Sequence, residues 1–271
     1  MKDDFQRRIQ RYGWDWAVDH YDSAWQSPLK PAQDRLLGGT DLRPGEDVLD
    51  VACGTGLVTV PAAEAVAPGG RVVGTDLSEE MVEQGRQIAE EQGLHNLTFE
   101  RMGAEALEVP KGAFDAVLCA LGLMYVPDPE QAIREMHRVL TPGGRAAAVV
   151  WGARKNCGWA EVFPIVDRRV DSEVCPLFFR LGTGDALEAA FRTAGFDDVT
   201  AERFSVALPF ESAEAACEAI FWGGPVALAW RNFDDAKRAE ARAEYLDSIA
   251  PYRTGDGYAI PGEFVIARGM K

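Results

Sequence analysis

Histidine is scarce in this sequence and cysteine has no partner pattern. The three histidines stand at 20, 95 and 137, and the five cysteines at 53, 119, 157, 175 and 217. No two of them sit at metal-ligand spacing, and the cysteine count is odd, which argues against a structural metal site and a disulfide framework. Long apolar runs are also missing. No stretch approaches the length of a membrane span, and Met1–Arg8 lacks the apolar core of a signal peptide. Positive charge is in deficit: 28 Lys and Arg against 43 Asp and Glu give a formal net charge of −15. Such a surface repels a phosphate backbone, so no nucleic-acid partner is expected. These absences lead to the expectation of a cytoplasmic protein with no metal and no membrane span.

What is present is a change of pattern along the chain. Residues 1–43 are an aromatic-rich arm, with Tyr12, Trp14, Trp16, Tyr21 and Trp25 close together. The spacing of Tyr12, Trp16, Tyr21 and Trp25 is roughly helical. Pro28 and Pro31 are expected to interrupt the arm before a short helix around 33–37. Residues 44–152 then alternate strand and helix. Strands are expected at 48–52, 71–76, 97–102, 114–119 and 145–151, with helices at 57–67, 79–92 and 129–140. Ala132, Ile133, Met136, Val139 and Leu140 mark the buried face of the last helix. Ser78 reads as a helix N-cap, and Pro68-Gly-Gly70 and Pro142-Gly-Gly144 as turns before strands. In residues 153–271 the order loosens into helices at 182–194, 212–221 and 233–249 and strands at 199–208 and 263–267. Short apolar strands alternating with helices imply an α/β, doubly wound, mostly parallel sheet covered on both faces. No linker-like break divides the chain, so residues 1–271 are expected to form one domain.

Ligands of such sheets bind beyond the carboxyl ends of the strands. The first strand runs into Gly54-Thr55-Gly56, where missing Cβ atoms let the backbone turn sharply and approach a ligand. The helix that opens near Leu57 adds free N–H groups and a positive dipole end. The second strand ends on Asp76, twenty residues beyond Gly56, placed to accept hydrogen bonds from ribose hydroxyls. Since Ser78 already caps the next helix, Asp76 is read as a ligand contact. A nicotinamide dinucleotide wants a third small residue where this chain has Thr59, and Asp50 is out of place in that fingerprint.

Asp47-Val-Leu-Asp-Val-Ala-Cys-Gly-Thr-Gly-Leu57 resembles motif I of the class I S-adenosylmethionine-dependent methyltransferases. Val73-Gly-Thr-Asp-Leu-Ser-Glu-Glu-Met81, Ala104-Glu-Ala-Leu107, Phe114-Asp-Ala-Val-Leu118 and Glu135-Met-His-Arg-Val-Leu-Thr-Pro-Gly-Gly144 extend the likeness, in order and at matching spacing. The run is similar to the small-molecule group typified by ubiquinone/menaquinone-biosynthesis methyltransferases. This implies a Rossmann-like seven-stranded sheet, with an N-terminal helical arm and a C-terminal helical cap inserted before the last strand. It implies S-adenosyl-L-methionine as cofactor. Gly54 and Gly56 would then approach its methionine part, with Asp50 and Ala52 shaping the turn. Asp76 would hold the ribose, and Leu77 and Met81 would pack on adenine. Ala104 and Glu105 would flank the adenine edge, and Cys119 would lie near the methionine end. The family often carries an acidic residue for the adenine amino group where this chain has Gly103. That leaves adenine to the backbone and Glu105, or to a weaker grip.

The acceptor side is less marked. Tyr21-Asp22 matches a pair that closes over the cofactor in similar enzymes, and Tyr125 lies in a loop that commonly faces the acceptor. Trp16, Trp25, Met124, Trp151 and Trp159 are candidates for an apolar acceptor pocket. His20 reads as a surface histidine and His137 as structural. Methyl transfer to a small apolar or aromatic molecule by in-line displacement is the leading expectation. Non-methylating use of the same cofactor, a nicotinamide-dependent oxidoreductase and a non-enzymatic scaffold stand as alternatives.

Overall fold

Strands whose residues are buried on both faces need helices on both sides, and β1 (Asp47–Val51), β4 (Phe114–Ala120) and β5 (Leu140–Trp151) are of this kind. The computed structural model describes residues 2–171, 175 and 177–271. In chain order, α1 (Lys2–Thr40) precedes β1, and α2 (Thr59–Ala65), β2 (Arg71–Asp76), α3 (Glu79–Glu91) and β3 (Leu97–Arg101) follow it. After β4 come α4 (Pro129–Val139), β5, α5 (Val162–Asp167), α6 (Ala186–Thr193) and β6 (Asp197–Phe210). The chain ends with α7 (Ala213–Phe221), α8 (Ala227–Arg231), α9 (Asp235–Ile249), β7 (Arg253–Thr254) and β8 (Gly257–Met270).

The sheet order is β3-β2-β1-β4-β5-β8-β6, with β7 paired to β8 off this path. Strands β1 to β5 pair in parallel, and β8 runs antiparallel between β5 and β6. The direction of winding reverses between β1 and β4, so the crevice at their carboxyl ends is the place for a ligand. The expected doubly wound, mostly parallel sheet is therefore present, with β7 as a two-residue addition to seven main strands. The helices α7 to α9 lie between β6 and β8, as a cap inserted before the last strand requires.

Several boundaries differ from expectation. The final strand covers Gly257–Met270 rather than 263–267. It is the central antiparallel strand, held on both edges, so pairing rather than apolar content sets its length. β5 starts at Leu140 instead of Arg145, because Leu140 pairs with Phe114 before a register shift carries the ladder past Gly143. α2 opens at Thr59, two residues later than expected, since Gly56 has φ +102 and Leu57–Val58 form a turn. Ser78 caps α3 as read, its Oγ accepting from Met81 N at 3.2 Å, and α4 has a further cap in Asp128, whose Oδ1 accepts from Gln131 N at 2.9 Å.

The largest departure is α1. It runs unbroken through Pro28 and Pro31, although an internal proline removes a hydrogen bond and crowds the preceding turn. Its apolar face explains the persistence. Trp25, Pro28, Leu29, Ala32 and Leu36 are buried at spacings of three and four, so tertiary burial outweighs the local preference. The far end is fixed by Arg145, whose guanidinium donates to Thr40 O and to Asp41 O and pairs with Glu46 at 2.7 Å.

Candidate active site

One cavity opens over the β1/β4 switch point and encloses about 1250 Å³ of atom-free space, part of it open to solvent. Its floor comes from the strand ends. Cys53 N still donates to Thr75 O at 2.9 Å, so the glycine turn begins while tied to β2. Ala52 then adopts φ +56, Gly54 φ +57 and Gly56 φ +102, and Leu121 beyond β4 adopts φ +61. Left-handed backbone at two non-glycine residues is costly and clusters at ligand sites. The two loops meet at Gly122, where a Cβ would lie 2.4 Å from Ala52 Cβ and 3.1 Å from Cys119 Sγ.

Two carboxylates face this cavity, Asp50 buried and Asp76 half-buried. Asp76 accepts from Gly54 N and Ser78 N, both at 2.9 Å. It therefore does local work that the sequence reading gave to Ser78 alone, while each oxygen keeps a second lone pair for a ligand hydroxyl. Burial raises its pKa, against the lowering effect of those N–H groups. Asp50 is fully buried at the end of β1. Its Oδ2 accepts from Thr59 Oγ1 at 2.7 Å and its Oδ1 has no partner. Desolvation pushes the Asp50 carboxyl up to about 7, opposed by Thr59 and reinforced by Asp76. An unpartnered buried carboxylate oxygen is costly, and a cationic ligand group beside it would offset that cost.

Leu77, next to Asp76, and Met81, Met102, Gly103 and Ala104 add an apolar slot to the lining. Glu105 lines the slot but is already engaged. Its Oε2 accepts from Arg7 Nε at 2.6 Å and its Oε1 from Asp128 N at 3.0 Å. Each Glu105 oxygen thus accepts one bond and keeps a second lone pair, and a Cβ at Gly103 would meet only Leu77, at 4.0 Å.

The remaining wall is α1. Arg7, Gln10, Trp14 and Tyr21 line the cavity in its first half, and Trp25, Leu29 and Gln33 continue along the same face. Three polar links hold the first half across the carboxylate end: Arg7 to Glu105, Ser78 Oγ donating to Asp15 at 2.6 Å, and Thr55 Oγ1 donating to Asp22 at 2.5 Å. Trp25 Nε1 donates to Ala219 O and Gly223 O at 3.1 and 2.9 Å, joining α1 to the cap. Aromatic rings run contiguously around the wall. Trp14 packs edge-on against Tyr21 and Tyr125, and Tyr125 against Phe178. Phe178 meets Trp159, Trp159 meets Trp151 at 4.8 Å, and Trp151 meets Trp25. Burial raises the phenol pKa of both Tyr21 and Tyr125.

Most predicted residues meet here: Tyr21, Trp25, Asp50, Ala52, Gly54, Asp76, Leu77, Met81, Gly103, Ala104, Glu105, Met124, Tyr125, Trp151 and Trp159 all line the cavity. Four do not. Trp16 is 46% exposed, beneath the Arg231 guanidinium at 3.3 Å. It lies two residues from Trp14, and that step turns a helical side chain to the other side. Thr55 is buried and spent on Asp22, Gly56 is closed off by the Phe99 ring, and Cys119 lies beneath Gly122. Sequence reasoning missed Arg7, Gln10, Trp14, Leu29 and Gln33. Their three-, four- and seven-residue spacing is a helical face that becomes readable once the prolines are not taken as breaks.

The sheet order, the glycine turn at its switch point and the paired carboxylates are those of the class I S-adenosylmethionine-dependent methyltransferases, and the chain belongs to that family. A sequence family described as a methyltransferase domain matches residues 48–144. Nocamycin O-methyltransferase of Saccharothrix syringae is 30% identical over 253 residues, covering 87% of this chain and 89% of that protein. Demethylmenaquinone methyltransferase of Listeria welshimeri is 42% identical over 119 residues, 44% of this chain. The match spans half the length of that relative (50%). The YcgJ protein of Bacillus subtilis shares the fold, with a TM-score of 0.61 at 19% identity over 89% of this chain and 98% of that one.

The residues fit S-adenosylmethionine. The orphaned Asp50 oxygen suits a cationic group, Asp76 suits ribose hydroxyls, and the slot beside Leu77 and Met81 suits a flat base. No helix among the described residues is long and apolar enough to cross a membrane.

Proposed function

We propose that this protein binds S-adenosylmethionine over the β1/β4 switch point and transfers its methyl group to a small, apolar or aromatic molecule. The observation that carries this is the pair of carboxylates facing one cavity, buried Asp50 with an unpartnered oxygen and half-buried Asp76 at the next strand end. Bound there, the cofactor supplies a methyl group on a positively charged sulfur, an activated donor for in-line displacement. The chain's part is to orient and to exclude water. Asp50 and the turn backbone from Ala52 to Gly54 hold the methionine end, Asp76 the ribose, and Leu77, Met81 and Ala104 the base. Tyr21 and Tyr125 are neutral phenols at physiological pH, because burial holds both pKa values up. They position groups by hydrogen bonding and do not take protons. The aromatic wall around Trp25, Trp151 and Trp159 receives the acceptor. A nucleic-acid acceptor is disfavoured by the net charge of −15.

Calorimetric titration with S-adenosylmethionine tests the reading. Wild type binds, and Asp76→Ala loses at least about 30-fold in affinity, the worth of a charge-assisted hydrogen bond. Absence of binding to wild type, or unchanged affinity in a folded Asp76→Ala protein, would refute it.

A further inference from the structure

From Gln6 to His20 the exposed residues of α1 are Arg8, Tyr12, Trp16 and Asp19, and no others. Spacings of four, four and three set them in one stripe along the helix. Gln10, Trp14 and Tyr21 reach the cavity from the opposite side, so the stripe faces away from the site. Among the described residues, only Met270 joins Tyr12 and Trp16 as an exposed large hydrophobic. Single exposed rings are ordinary, but two on adjacent turns beside an apolar groove form a patch. The groove lies between α1 and α8, and its lining includes Ile9, Gly13, Val170, Leu228 and Ala229. It encloses about 660 Å³ of atom-free space, part of it open to solvent.

The stripe carries opposite charges at its two ends, and neither is paired. The side chains of Arg8 and Asp19 make no hydrogen bond or ion pair within the chain. Run in the reverse direction, the same stripe presents its charges in the reverse order. Two copies laid antiparallel are therefore complementary, cation to anion at both ends, with the rings between them.

We propose that a second copy of this chain covers this face, in an isologous dimer with the two α1 helices antiparallel. A two-fold axis passing between Gly13 and Trp14 sets Arg8 of each copy opposite Asp19 of the other. The same axis sets Trp16 level with Arg11 of the second copy, whose neighbours Ile9 and Gly13 border the groove. The ring of one copy thus enters the groove of the other. Ring and groove lie side by side on one face, so the contact forms twice and the assembly closes at two. The net charge of −15 opposes association. Salt at about 0.15 M screens that repulsion beyond roughly 8 Å, while the end pairs act at contact distance. The interface does not depend on methyl transfer.

Sedimentation velocity of the full ligand-free chain, from about 1 to about 100 μM in about 0.15 M salt, tests this. Wild type forms a dimer of twice the chain mass within that range. Trp16→Ala weakens the dimer at least about 30-fold, because a ring buried twice at the centre of an interface is a hot spot. Arg8→Asp or Asp19→Arg alone sets like charges opposite each other at both ends and weakens the dimer about tenfold. The Arg8→Asp/Asp19→Arg double variant restores both pairs and returns to within about threefold of wild type. A wild type that stays monomeric at the highest concentration overturns the proposal. So does a dimer unmoved by Trp16→Ala, unmoved by the single charge inversions, or not recovered in the double variant. If Trp16→Ala does not fold, the charge series decides alone, since Arg8 and Asp19 are exposed and make no contact that folding needs.

Discussion

Asp50 makes the stability of the ligand-free protein fall with pH, and Asp50→Asn isolates the effect. An aspartate carboxyl ordinarily titrates at 3.8, and desolvation takes this one to about 7. Between those values the folded chain holds a proton that the unfolded chain has released. Stability therefore falls as pH rises through this window, and the loss is complete above about 7. At about 1.4 kcal/mol per pH unit, the whole window is worth about 4 kcal/mol. Asparagine keeps an oxygen for the Thr59 hydroxyl and does not titrate, so the variant lacks this loss. Wild type and Asp50→Asn should melt alike near pH 4, and the variant should gain across the window to about 4 kcal/mol at pH 8. For a chain of this size that is roughly 8 °C in Tm. Calorimetric melts of both ligand-free proteins from pH 4 to 8.5 give the difference curve directly, with other titrating groups cancelling. A flat difference, or one that grows toward acid, would refute the assignment of a proton to Asp50 in the folded state.

Thr59→Val removes the hydroxyl that favours the ionised Asp50 carboxylate. Its pH window of stability loss should extend to higher pH than in wild type, read from the same melts; a window moved toward acid contradicts the hydrogen-bond assignment. Gly56→Ala asks a non-glycine residue to adopt φ +102 and places a methyl 2.9 Å from Phe99 Cζ. Urea unfolding should show a loss of about 2–4 kcal/mol, and an unchanged midpoint would mean that the turn is not constrained as described.

The donor half of the site is readable because its parts are local. Asp50, Gly54 and Asp76 each end a strand or begin the turn after it, and parallel pairing of β1 with β2 through Val51↔Thr75 fixes their approach. Gly103 and Ala104 follow β3 in the same manner. The arm was less legible. Proline signals at 28 and 31 suggested an interruption, yet the burial of Trp25, Leu29 and Leu36 holds one helix through them. Grouping Tyr12 and Trp16 with Tyr21 and Trp25 mixed two faces. The step of five from Trp16 to Tyr21 is not a helical repeat, whereas Trp14, Tyr21 and Trp25 are seven and four apart and all reach the cavity. Both Tyr12 and Trp16 are left exposed.

The sequence by itself determined the class of fold, the family and the strand-end residues of the cofactor site. Periodicity, turn chemistry and short motifs act over neighbouring residues, where spacing along the chain is spacing in space. Only the tertiary structure decided which aromatic rings share a wall, that Glu105 accepts from Arg7 and Asp128, and that Asp50 keeps an unpaired oxygen beside a cavity. Those facts depend on where α1, the strand-end loops and the cap converge. Burial and pairing are properties of that convergence, and no single segment contains them.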